Sequence, residues 1–336
     1  MSTGNVDLGS ISSWSAHAGE TGTGTYLLTG YGEHTGTSGQ TYLKLTMEDA
    51  EGRATGFAWP EARANVVCSA TPAPVSVCGT VQRFQGHAQI KVHTLAPVSP
   101  DHLGSATALL PRSRCPEVAL SALHQLSRLE QALPDPLDGF LRRVLLDPAV
   151  GLPFLRCRAS VAHHHAFVGG LLVHSTEMLD QAYEMTHRIL PEDAWSPFLA
   201  QLGYLLHDIG KLRTVGELRR PRYALVVRHE FVSLEMLAPH LAWLEQRNSE
   251  LAMALRYLFA HLATPAAARK VPEHAAAEVV VTLDQWSAAA HNHRDLAHLL
   301  QRHRFAAGRG GVQGEQSGAA PYPSELPARR HQAHAS

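Results

Sequence analysis

Two periods of hydrophobic and polar positions divide the chain. Over 25–98, apolar residues alternate with polar ones in short runs broken by Gly, Asn and Pro, the period-two pattern of half-buried strands. Strands are predicted over 25–31, 41–48, 53–59, 74–82 and 88–95. In the second of these Leu43, Leu45 and Met47 share one face and are expected in a core, with Tyr42, Lys44, Thr46 and Glu48 directed outward. Turns are read at Asp49-Ala50-Glu51-Gly52 and Phe84-Gln85-Gly86. Five strands this short predict a small closed or partly open barrel, which removes the edges a flat sheet would expose. An SH3-like barrel satisfies the periodicity nearly as well.

After a Pro-, Ser- and Gly-containing stretch at 99–116 the apolar spacing lengthens to three and four residues. That predicts helices over 118–133, 136–146, 170–190, 197–206, 229–246, 251–262 and 274–290. Pro191, Pro221, Pro265 and Pro272 punctuate them, and Pro239 is expected to kink one. Beyond residue 305 Gly, Gln, Pro, Ala and Ser dominate, so 306–336 is expected to be a disordered tail. The predicted class is multidomain α and β: a small all-β barrel over 20–98, a linker over 99–116, an all-α helical bundle over 117–305, and the tail.

Composition adds little until histidine. With 336 residues, 45% hydrophobic and a formal net charge of −1, this is a folded chain without an overall positive field, so any nucleic-acid contact has to be local. No uncharged apolar run approaches the ~20 residues that span a bilayer, and no export leader pattern opens the chain. The four cysteines form no C-x-x-C pair, which predicts a reducing, cytoplasmic setting without membrane partners. The 22 histidines are the unusual component, and their positions carry the chemistry.

His174, the pair His207-Asp208, His229, His261 and Asp284 each fall on or at the end of a predicted helix. Imidazole and carboxylate donors without thiolate suit divalent manganese, cobalt, magnesium, iron, nickel or zinc. Ligands from separate helices can converge inside a bundle. The most informative segment is Leu205-Leu206-His207-Asp208-Ile209-Gly210-Lys211, because a His-Asp pair after an apolar run is costly to bury unpaired. Gly210 permits a helix stop there. Lys211, three residues after Asp208, can share its face and offer an ammonium to a phosphate oxygen. Glu177, three residues after His174, reads as solvated surface rather than as support for it.

The ordered set H, HD, H, H, D resembles the pattern of HD-domain phosphohydrolases. More narrowly, His164-His165-Ala166-Phe167-Val168-Gly169-Gly170-Leu171-Leu172-Val173-His174-Ser175 resembles the HHA-x-x-GGLL-x-H-[ST] segment of YhaM-type 3'-5' exoribonucleases. Residues 38–52, Trp59 and 79–91 are similar to the OB-fold that precedes the HD domain in those enzymes. The chain departs from the pattern at Ala260-His261-Leu262-Ala263, where the family has S-H-H-G, and at Arg228-His229-Glu230, where G-H is usual. It also lacks a histidine shortly before Asp284.

The resemblance implies an OB-fold plus HD-domain hydrolase that cuts phosphodiester bonds of single-stranded RNA from the 3' end, extending to single-stranded DNA, and releases nucleoside monophosphates. It implies one divalent ion, manganese foremost, on His174, His207, Asp208 and Asp284, and a second on His229 and His261 sharing Asp208. With a single ion, His229 or His261 is instead free to protonate the leaving oxygen. Lys211 would neutralise charge on the phosphate, and His164 or His165 would position it or orient a ligand. On the barrel, Tyr42, Lys44, Trp59 and Lys91 are the candidates for stacking and backbone contacts with a strand. The histidine segment also occurs in HD-type conjugative relaxases. DNA nicking, hydrolysis of free nucleotides and non-catalytic OB-fold nucleic-acid binding with a decayed metal site are therefore the alternatives, and oligomeric state is left open.

Overall fold

Strand-forming and helix-forming halves appear in the order the two periods predict. The structure, a computed structural model, describes residues 6–291 apart from 38, 69 and 220. The tail expected over 306–336, and the last part of the helical region at 292–305, lie outside the described residues.

Six strands form one sheet: β1 (Val6–Asp7), β2 (Thr21–Thr35), β3 (Thr41–Glu48), β4 (Arg53–Ala58), β5 (Ala73–Phe84) and β6 (His87–Pro97). Their order is β1-β2-β3-β4-β6-β5, and β2 pairs again with β5, so β2 to β6 close into a five-stranded barrel. The closure is antiparallel, with Tyr26 opposite Val75, whereas β4 and β6 run parallel, with Gly56 opposite Ile90. That Greek-key order is the OB type and not the SH3-like alternative. Leu43, Leu45 and Met47 point into the barrel and are buried, as the alternation predicts. A 3-10 helix at Ile11–His17 inserts the fully buried Trp14, whose indole N–H donates to the Tyr26 hydroxyl at 2.9 Å.

Glu48 differs from its predicted outward setting. It is buried because the segment leaving the barrel folds back over it: Arg114 donates from Nε and Nη2 at 2.6 and 2.5 Å, and the Thr29 hydroxyl at 2.9 Å. A buried carboxylate requires such a bidentate partner. In the same segment, Ala106, Leu109, Leu110 and Cys115 are buried within the helical core. Glu130 accepts from the backbone of Ala106 and Thr107, which pins the turn in place.

The helices are α1 (Leu120–Ala132), α2 (Leu137–Leu145), α3 (Gly151–Arg156), α4 (Gly170–Thr176), α5 (Leu179–Ile189), α6 (Ser196–Leu206), α7 (Lys211–Thr214), α8 (His229–Glu245), α9 (Ser249–Ala263) and α10 (Ala275–His291). The single helix predicted over 170–190 is two helices. At the break the Thr176 hydroxyl donates to the Leu172 carbonyl at 3.0 Å, competing with the backbone ladder, and Glu177 turns inward. Pro239 lies within the continuous α8. The helices α5, α6 and α10 pack on one another, and α8 packs on α9. No helix among the described residues is long and apolar enough to cross a membrane.

Candidate metal centre

Local chain geometry explains how the histidines meet. His165 and Gly169 both take left-handed conformations, with φ of 53° and 85°. A side chain on Gly170 would put its Cβ 2.0 Å from the His165 carbonyl oxygen. The double glycine therefore lets the histidine loop fold directly onto the start of α4, with the His164 and His165 rings 5.6 and 5.7 Å from that of His174. α6 is buried along almost its whole length and ends at Leu206, so His207 and Asp208 occupy the turn between α6 and α7. Gly210 is right-handed there, with φ −62°, so it supplies no left-handed stop. What it supplies is proximity, since a Cβ at Gly210 would lie 2.0 Å from the His229 carbonyl oxygen. Its N–H donates to the Ser233 hydroxyl at 2.9 Å, and that hydroxyl donates to the His207 carbonyl at 2.9 Å. The start of α8 is thus bound to the His-Asp turn.

Four side-chain atoms meet from α4, the His-Asp turn and α10. His174 Nε2 lies 3.3 Å from His207 Nε2, 3.3 Å from Asp208 Oδ2 and 3.4 Å from Asp284 Oδ1. His207 Nε2 lies 3.3 Å from Asp208 Oδ2 and 3.5 Å from Asp284 Oδ1. The His207 Nδ1–H must donate to the Tyr204 carbonyl at 2.7 Å, because a carbonyl can only accept, and this turns the Nε2 lone pair toward the cluster. Ligand atoms each about 2.1 Å from one ion stand about 3.0 to 3.4 Å apart in octahedral or tetrahedral arrangements. The donor set and its spacing therefore fit a divalent cation.

Charge at the cluster follows from burial and proximity. Burial pushes the His174 pKa down, but the carboxylates of Asp208, Asp284 and Glu177 outweigh it and raise the value to about 11. His207 is raised to about 9 by the same opposition, with Asp208 as the main partner. Burial alone would raise Asp208 and Asp284, yet the surrounding histidines, with Lys211 beside Asp208, hold both well below the usual carboxylate range. Lys211 Nζ contacts Asp208 Oδ2, and His229 Nε2 lies 2.9 Å from Asp208 Oδ1, so Asp208 is shared between two sides of the site.

Glu177 is the residue whose setting differs most from the sequence reading. It is not solvated surface: its carboxylate lies 3.2 Å from His174 Nδ1 and 3.2 Å from His165 Nε2, and it accepts from the Ser287 hydroxyl. Ser287 itself lies 3.3 Å from His174 Nδ1. The available signal was spacing, since Glu177 follows His174 by three residues and Ser287 follows Asp284 by three, each pair sharing one helical face. Among the residues read from the sequence, His174, His207, Asp208, Asp284, Lys211 and His229 are in direct contact, with His164 and His165 packed against them. His261 stands apart on α9, stacked on Tyr257 at 6.3 Å, with Nε2 buried and without a hydrogen-bond partner among the described residues.

On the barrel, Tyr42 packs against Trp59 at 4.9 Å, Phe57 at 5.6 Å and His34 at 5.9 Å. Strand register places Lys44, Phe57 and Lys91 in one row across β3, β4 and β6. Lys91 also pairs with Glu61 at 3.1 Å.

An OB-type barrel joined to a helical His/Asp centre is the organisation that the comparisons with known proteins bear on. No protein-family model matches the chain. It is similar to the 3'-5' exoribonuclease YhaM of Bacillus subtilis (strain 168), 24% identical over 181 residues that cover 53% of this chain and 55% of that protein. Against the enzyme of the same name from Oceanobacillus iheyensis it is 23% identical over 200 residues, covering 57% and 58%. Against that of Listeria innocua serovar 6a it is 24% identical over 182 residues, covering 53% and 55%. The chain thus spans about half the length of the curated relatives it matches. Among solved structures it is similar to the second OB-fold domain of replication protein A from Methanococcus maripaludis, at 17% identity and a TM-score of 0.21, over 24% of this chain and 87% of that one. A lipoprotein from Klebsiella pneumoniae subsp. pneumoniae MGH 78578 is similar at 17% identity and a TM-score of 0.22, over 27% and 81%.

Proposed function

We propose that this protein is a divalent-metal-dependent phosphodiesterase that shortens single-stranded RNA from its 3' end and releases nucleoside monophosphates, with single-stranded DNA as a second substrate. The observation that carries the reading is the meeting of His174 Nε2, His207 Nε2 and Asp284 Oδ1 at 3.3–3.5 Å, a group able to hold a metal ion, with Asp208 Oδ2 3.3 Å from both imidazole nitrogens and in contact with Lys211. His174, His207, Asp208 and Asp284 would hold the ion. A divalent cation held there supplies a water acidic enough to attack phosphorus near neutral pH.

The chain's own groups do the remainder. Glu177 and the Tyr204 carbonyl fix the two imidazoles so that their Nε2 atoms face inward. Lys211, seated on Asp208, offers its ammonium to a non-bridging phosphate oxygen in a site largely screened from water. His229 is a third exposed at the open side of Asp208, where its Nε2 can hold a proton for the departing 3' oxygen or serve as a ligand with Asp208 Oδ1. His164 and His165 line the approach to His174. The Tyr42, Trp59, Lys44 and Lys91 face of the barrel would hold upstream nucleotides by stacking and charge. In this reading 20–98 is the strand-binding domain, 99–116 its connection and 117–305 the hydrolytic domain, working in the cytoplasm.

The test is incubation of the purified chain with manganese and 5'-labelled RNA. A descending ladder is expected, abolished by EDTA and by Asp208→Ala. Products that do not shorten stepwise, or a ladder that survives Asp208→Ala, overturn the assignment.

A further inference from the structure

A groove of about 550 Å³ opens beside the metal centre, within the about 300–1,000 Å³ usual for small-ligand sites. His229 forms its inner end, and Val161 with His163 of the histidine loop faces Leu225 and Val226 of the strip that precedes α8. Those aliphatic side chains are open: Val226 is 80% exposed, Leu225 73% and Val161 49%. Scattered apolar surface residues call for no account, but aliphatic walls gathered beside a cage of charged groups mark a place that something covers. The rim carries the imidazole of His163 and the half-exposed guanidinium of Arg228, which is tethered by Glu230.

We propose that this groove seats the terminal nucleoside of the strand being shortened, an inference that rests on the hydrolytic reading above. A nucleoside joined through its 5' oxygen to a phosphate at the centre has to lie next to that centre, and the groove starts at the residue that contacts Asp208 at 2.9 Å. Aliphatic walls accept the flat faces of any base, while the Arg228 guanidinium meets the negative charge of the attached phosphate and the His163 ring offers it a hydrogen bond. Because the walls are carbon, the seat reads a base by its faces and not by its edges, so removal of the terminal nucleotide is tolerant of base identity.

The full chain with manganese is assayed on thymidine 5'-(p-nitrophenyl phosphate), which carries a nucleoside, and on bis(p-nitrophenyl) phosphate, which carries none. It is also titrated calorimetrically with adenosine 5'-monophosphate. In the double variant L225S/V226S, at positions too exposed to support the fold, KM for the nucleoside ester is expected to rise about tenfold and the monophosphate to bind about tenfold more weakly. Kinetics on bis(p-nitrophenyl) phosphate stay within about twofold. Equal losses on both esters, or no loss on the nucleoside ester and the monophosphate, overturn the groove assignment. If the wild-type chain turns over neither ester, the hydrolytic reading fails, and the calorimetric comparison alone then decides the groove.

Discussion

Removing the carboxylate behind His174 separates a built metal site from a chance meeting of polar groups. In the proposed ligand set Glu177 is not a ligand; it acts through His174 Nδ1 and His165 Nε2, each 3.2 Å away. A hydrogen bond to a charged group is worth about 1.5–3 kcal/mol, and loss of such a partner behind a ligating imidazole typically costs 10–100-fold in metal affinity, about 1.4–2.8 kcal/mol. The two estimates agree, so Glu177→Ala should bind manganese about 10–100-fold more weakly. Glu177→Gln keeps one acceptor for the His174 Nδ1–H but loses the charge, and should fall at the lower end of that range. Manganese affinity is read by isothermal titration of the full chain, with circular dichroism to establish that each variant is folded. A folded Glu177→Ala protein that binds manganese as the wild type does would refute both the orientation argument and the placement of the ion on His174.

Three further outcomes follow from the barrel. Burial would raise the Glu48 pKa, but the Arg114 and Thr29 hydrogen bonds outweigh it and hold the carboxyl below its ordinary value; the stabilisation is present above the unfolded value of about 4.3 and is lost as pH falls through the folded one. The melting temperature of the wild type should therefore drop between about pH 5 and 3 more than that of Glu48→Gln, and Arg114→Ala, which strands a buried acceptor, should cost about 1–3 kcal/mol at pH 7 by urea denaturation. Trp59→Ala should weaken binding of single-stranded RNA by about 1–3 kcal/mol in fluorescence anisotropy while leaving manganese affinity unchanged, and unaltered RNA binding would remove this face from the strand path.

The barrel was legible because period-two alternation survives wherever one face is buried, as Leu43, Leu45 and Met47 illustrate. A closed or partly open barrel was expected from the number and length of the strands; which strands close it was not legible, since the pairing of β2 with β5 and the parallel β4–β6 contact depend on register between strands far apart in sequence. The same limit hid Glu48, whose burial is decided by Arg114, 66 residues away. The short helices α3 and α7 escaped because six and four residues are too few to express a period. The break after Thr176 escaped because an apolar stripe continues through it while a side-chain hydroxyl interrupts the backbone ladder.

At the candidate centre, residue types drew attention to the positions, but glycines set the geometry. His174, His207, Asp208 and Asp284 stand out in a sequence because histidine and aspartate after apolar runs call for an explanation. Nothing in such a pattern states that Gly170 must lack a side chain for His165 to reach His174, or that Gly210 must lack one for His229 to reach Asp208; both follow only from contacts of 2.0 Å that a Cβ would make with a carbonyl oxygen. The two glycines act alike: each removes the one carbon that would hold a histidine-bearing segment away from the cluster. The departure Arg228-His229-Glu230 leaves this device intact, because His229 is brought to Asp208 by its backbone seat on Gly210 and Ser233 rather than by the residue before it. At Ala260-His261-Leu262-Ala263 no comparable seat exists among the described residues, and His261 packs on Tyr257 instead. The contacts thus leave His174, His207, Asp208 and Asp284 tightly packed, with His229 on the open side of Asp208 and His261 apart from them.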